Sequence, residues 1–291
     1  MENEFDIEKS KAFATAHFQG AQVVFQYMKD RYPLIQAVII KPETGHREAS
    51  LRGLWMRAYA WLQTITKLND PLDYQAISAG NRALLEITVD LILLHHDKTN
   101  EAGWKMFQWK NSEKMKAAEQ ILNFFNEIGV SVPDQYEAQE IFCRNEKHII
   151  DNARVALWPN KKNPGKPVHP DRWTGSSNLF PDIEKADQLF SPAIKNEIGS
   201  TLVEYYRTEY RKMNWHIHSG VASFWNMPPE FFNMASGFGF KWCADFAMLC
   251  TKIILNDFGF DIAIDGLKQE WDSIKAQRDL LYCQARGLIP E

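Results

Sequence analysis

Apolar residues recur at spacings of three and four along most of the chain, and runs that alternate with a period of two are scarce. The pattern predicts an all-α protein, a multi-helix bundle of about eight helices in a single domain spanning 1–291. The expected helices cover about 5–31, 46–68, 72–96, 100–128, 133–158, 193–219, 238–257 and 265–285. Pro33, the turn at Asn69-Asp70-Pro71, Gly129 and Pro159 mark expected ends, and the segment "MPPEFF" marks a further break. The run "LIQAVII" at 34–40 is the one strand-like stretch, and without a partner strand it is expected to be irregular. Between the fifth and sixth helices, "PNKKNPGKPVHPDRWTGSSNLFP" at 159–181 is expected to be a long loop. Loops of that length are uncommon in compact domains and are often functional.

The third expected helix is apolar almost all the way round from Ala83 to Leu94, which suits a central element. Arg82, Glu86 and Asp90 interrupt it every four residues and therefore share one face. A buried carboxylate without a partner costs several kcal/mol, by order of magnitude. These acids are thus expected either to look out through a gap or to meet a cation, and Arg82 can pair with Glu86 within the helix. His95 and His96 close the helix, where the macrodipole favours cationic groups. Adjacent helical residues point about 100° apart, an awkward geometry for a joint metal shell, and no metal or other cofactor is expected.

The sixth expected helix ends in "YRKMNWHIHSG". Stepping about 100° per residue from Arg211 puts Arg207, Asn214 and His218 within about 60° of it. Tyr206, Tyr210, Met213 and Ile217 fall on the opposite arc, and His216 turns toward that apolar side. A stripe of Arg, Arg, Asn and His is unlike the mixed Lys and Glu of an ordinary solvated face. The economical arrangement sets this line against Arg82, Glu86 and Asp90, with a carboxylate orienting His218 and the arginines offering anion-binding charge.

Composition narrows the classes. The chain is 45% hydrophobic and 24% charged, ordinary for a globular protein, with a net charge of -4 that argues against a nucleic-acid coat protein. The long loop is locally basic all the same, carrying Lys161, Lys162, Lys166 and Arg172 beside His169 and Trp173. It can steer RNA or stack a base, or serve as a solvated connector. Four cysteines, none in a C-x-x-C pair, suit reduced core residues. The polar start and the lack of a run of roughly 20 apolar residues lead to an expectation of a cytoplasmic protein with no membrane partner.

The spacing of Arg211 to His216 and His218 resembles the Arg-x4-6-His signature of HEPN domains, all-helical modules of prokaryotic toxins, defence systems and RNA-processing enzymes. The chain also resembles an uncharacterised bacterial all-helical family in which an "R-x-L-x-E"-like helix, here Arg82 to Glu86, precedes a helix with a Tyr-Arg pair and a later His, here Tyr210, Arg211 and His218. That likeness covers about residues 70–220. The HEPN resemblance implies a metal-independent endoribonuclease acting on RNA as a homodimer, with Arg211, His218, His216 and Asn214 catalytic. Lys212 follows the arginine where HEPN enzymes commonly carry Asn, Asp or His.

Two functions remain open. In the enzyme, a histidine takes the 2′-hydroxyl proton, a guanidinium stabilises the phosphorane, and Tyr210 or Asn214 positions a phosphate oxygen. In the alternative, a non-catalytic helical protein binds a partner or a small anionic ligand, and its Arg/His/Glu cluster holds the helices in register.

Overall fold

The computed structural model describes residues 7–37, 45–68, 70, 73–97, 99–212, 228–260 and 267–285. Among these, nine α-helices and no strand are found, as the apolar pattern predicts. They are α1 (Ile7–Ala37), α2 (His46–Ile65), α3 (Tyr74–His96), α4 (Asn100–Glu127), α5 (Glu137–Leu157), α6 (Leu179–Ile198), α7 (Leu202–Tyr205), α8 (Pro229–Asp257) and α9 (Leu267–Ala285). A single 3-10 turn, Asp134–Tyr136, leads into α5, and a π turn, Tyr206–Tyr210, continues α7.

Several boundaries differ from expectation, mostly at prolines. Pro33 lies inside α1 rather than ending it, and the burial of Ile35 beyond it offsets the lost backbone donor. The end of the expected long loop is the start of α6. The Asn178 side chain accepts from Phe180 N at 3.0 Å, and Pro181 sits in the first turn, where a missing N–H costs nothing. Pro192 is carried inside the same helix. The expected sixth helix is divided instead at Gly199, whose φ of 71° suits glycine, and Thr201 caps the restart by accepting from Glu204 N at 3.0 Å. "MPPEFF" is a start signal: Pro229 is the first residue of α8. Of the run at 34–40, residues 34–37 belong to α1, and the rest lies outside the described residues.

The chain divides into two compact units, Met1–Glu43, Leu51–His96 and Ile183–Glu291 in the first, Thr44–Ser50 and Asp97–Asp182 in the second. In the first unit α8 is buried almost all round, from Phe232 to Leu255, and packs against both α1 and α3. Two glycines allow this. A Cβ on Gly237 would come within 2.6 Å of the Phe13 ring on α1, and one on Gly239 within 2.5 Å of the Ile77 Cγ2 methyl on α3. Two polar pairs tie the helices together in the interior. Trp55 Nε1 donates to Thr251 Oγ1 at 3.1 Å, and His95 Nδ1 lies 2.8 Å from the buried Asp257.

The second unit is built on the α4–α5 hairpin. Arg47 is buried there and donates to the Asp97 carbonyl at 2.7 Å. No described helix is long and apolar enough to cross a membrane. The four cysteines are unpaired thiols, with Cys243 and Cys250 fully buried. Burial pushes the Cys250 thiol up to about 12 against a small opposing effect of its Thr88 contact.

The glycine contacts give a paired expectation. Gly239→Ala costs about 1–3 kcal/mol through overpacking against Ile77. Gly53→Ala, in α2 with nothing within 4 Å of its added Cβ, stabilises by up to about 1 kcal/mol. Urea unfolding of the two variants measures both signs.

Candidate functional site

The polar line of α3 is present, and Arg82, Glu86 and Asp90 are each half-buried. Arg82 Nε donates to Glu86 Oε1 at 3.1 Å. The second group on that carboxylate is the Tyr210 hydroxyl, which donates to Glu86 Oε1 at 3.3 Å. The Arg82 guanidinium lies 5.7 Å from the centre of the Tyr210 ring, and Tyr206 stacks on Tyr210 at 4.7 Å. Thus a tyrosine from the arc expected to be apolar meets the acids, while Arg207 and Arg211 are exposed. The arcs themselves hold, with Tyr210 buried and Glu204, Arg207 and Arg211 exposed. What differs is that the tyrosine arc, not the polar stripe, faces α3, and the π turn Tyr206–Tyr210 lies in that arc. Asn214, His216 and His218 lie outside the described residues.

Burial and the Glu86 carboxylate, partly countered by Arg82, push the Tyr210 hydroxyl up from 10.0 to about 12. It is therefore a donor throughout the neutral range and no general base.

The basic loop is tied down over most of its C-terminal half, in contrast to a solvated connector. Arg172 Nε donates to the buried Asp182 at 2.6 Å. Thr174 and Ser176 donate to the same carboxylate at 2.9 and 2.8 Å. Trp173 is buried, and its carbonyl accepts from Trp158 Nε1 at 3.2 Å, so it is no stacking platform. His169 Nδ1 lies 3.0 Å from Ser112 Oγ, with Nε2 against Glu113. This has the order of a Ser-His-Glu triad, but Ser112 is fully buried on α4 and its hydroxyl already accepts from Arg154 Nε at 2.5 Å. The cluster therefore fastens the loop to α4 and α5 and has no room for a substrate. Lys161, Lys162 and Lys166 remain exposed.

Beside the π turn lies a cavity of about 380 Å³ between α3 and α8. Phe231, Met234, Phe238 and Trp242 supply its apolar wall, Tyr74 and Asn81 come from α3, and the Glu209–Lys212 ion pair, 3.1 Å apart, stands at its edge. A second cavity of about 540 Å³ runs along α1 and α8, lined by Lys11, Gln22, Asn233 and Ser236 among others. Among the described residues, no group of three His, Cys, Asp or Glu side chains could hold a metal ion.

The residues of the first cavity are mostly apolar or neutral and carry no motif or charge pattern in the sequence. Asn81 carried the available signal, as a polar residue at the start of a helix apolar on every face. Arg154, Ser112 and Asp182 carried none, since their partners are 10 to 42 residues away. No protein-family model, curated protein or solved structure matches the chain.

Two variants test these assignments. Tyr210→Phe costs about 1 kcal/mol near neutral pH, the worth of one hydrogen bond. Its alkaline behaviour has a definite sign. Between pH 10 and about 12 the unfolded chain gives up the Tyr210 proton that the native state keeps, so the wild type loses stability as pH rises. The variant therefore shows a shallower fall over that window in urea titrations at stepped pH. Asp182→Ala removes the shared acceptor of Arg172, Thr174 and Ser176 and costs about 3 kcal/mol, with hydrogen exchange of residues 172–182 speeding first.

Proposed function

We propose that the protein is a helical binding protein that takes an anionic partner on the exposed edge holding Arg207 and Arg211, with the Arg82–Glu86–Tyr210 cluster in a structural role. One observation carries this. Arg211 is exposed, and Glu86 takes Arg82 and Tyr210 as its partners among the described residues. An exposed guanidinium offers a forked set of donors to a phosphate or carboxylate. The cost of orienting it falls on the cluster behind it, which fixes the π turn.

The same exposure favours a second reading, the metal-independent ribonuclease that the HEPN resemblance implies. There Arg211 would stabilise the phosphorane and His218 would serve as base. Exposed Lys161, Lys162 and Lys166 would add attraction for RNA without sequence preference.

One experiment separates the readings. Labelled single-stranded RNA and inorganic polyphosphate are titrated with the full-length protein in EDTA, and the RNA is then resolved on a denaturing gel. Binding that weakens about tenfold in Arg211→Ala, with RNA intact, is the expected outcome. Cleavage abolished by both Arg211→Ala and His218→Ala would establish the ribonuclease. Absence of Arg211-dependent binding to either polyanion overturns the proposal.

A further inference from the structure

The cavity between α3 and α8 combines an apolar wall with one unmet polar demand. Asn81 lines it and is fully buried. Its Nδ2 donates to the Gly239 carbonyl at 3.0 Å, which fixes which end of the amide is oxygen. The Oδ1 atom has no hydrogen-bond partner among the described residues. A buried acceptor left unmet is costly, and in a folded protein such an atom calls for an explanation. Gly239 is itself a residue where any side chain would collide with Ile77, so the carbonyl that orients Asn81 is held by close helix packing. Asn81 is therefore a preset acceptor.

The rest of the lining defines what would satisfy it. Phe231 and Phe238 are exposed large aromatics, and both lie on this cavity with Trp242. Trp242 is braced from behind by Tyr205 at 4.6 Å and by the Lys241 ammonium 4.1 Å from its ring centre. A volume of about 380 Å³ is at the small end for ligand sites and suits a molecule of one or two rings. Rings against rings gain offset-stacked or edge contacts.

We propose that this cavity is a binding site for a small flat aromatic molecule that carries an N–H donor, its rings against Phe231, Phe238 and Trp242 and its N–H on Asn81 Oδ1. The ion pair of Glu209 and Lys212 at the edge takes any polar substituent. The site is independent of what Arg211 binds, and neither proposal stands on the other.

The probes are indole and 1-methylindole, which share a ring and differ in the donor, titrated calorimetrically into the full-length protein. Indole is expected to bind about tenfold more tightly than its methylated analogue, the worth of one hydrogen bond. Asn81→Ala removes the acceptor and makes room for the methyl group, so the two probes then bind alike. Should Asn81→Ala fail to fold, Ala235→Phe fills the cavity from α8 and abolishes binding of indole without touching Asn81. Failure of the wild type to bind either probe at millimolar concentration overturns the site. Equal binding of both probes by the wild type overturns the role of Asn81.

Discussion

Close approach of α8 to its two neighbours at Gly237 and Gly239 is the constraint on which the first unit depends. A helix buried almost all round gains its stability from packing on every face, and here that packing requires two positions without a side chain. Because the backbone of α8 comes so near α3, the Gly239 carbonyl is within reach of Asn81. The same proximity lets Thr88 meet Cys250 at 3.2 Å, and Asp257 is met by His95 at the far end of the helix. The order of polar contacts along α3 and α8 is thus a consequence of one small-residue seam rather than a set of separate arrangements.

Against this rigid pair the π turn of Tyr206–Tyr210 supplies the lateral contact. Tyr205 packs into the interior on Trp242 and Phe246, whereas Tyr210 turns its hydroxyl to Glu86. Tyr206 stacks on Tyr210, which meets Glu86 and Arg82 of α3. The result is a division of labour between adjacent groups. Tyr210 donates to Glu86, and Arg211 of the same stretch is exposed. A carboxylate with a neutral donor and one partly exposed guanidinium needs no further cation.

Much of the architecture was legible in the apolar spacing, since α2 to α5 and the latter part of α8 follow a period of 3.6 over long stretches. Prolines misled at three places because their effect depends on position. Pro229 at a first turn starts a helix, and Pro33 and Pro192 inside helices are tolerated where flanking residues bury enough surface. The polar line on α3 was legible from a four-residue repeat. Its partner was not, because the tyrosines of "YRTEY" read as apolar packing surface, and periodicity does not report that the Tyr210 hydroxyl rather than an arginine reaches Glu86. The loop residues were visible as charges, but what they do is set by Asp182 and Ser112, contacts that periodicity does not report.

The carboxylate of Asp182 collects donors from Arg172, Thr174 and Ser176, and His169 and Trp173 are engaged just before. What is left of the loop outside this anchorage is residues 161–167, all exposed, with Asn160 Oδ1 accepting from the amides of Lys162 and Asn163. Access for a protease, and tolerance of inserted sequence, follow from exposed backbone with few contacts to lose. Residues 161–167 therefore form a lysine-rich window, bounded by prolines, through which the second unit could be nicked or fused to a reporter domain while Trp158 and Trp173 stay buried.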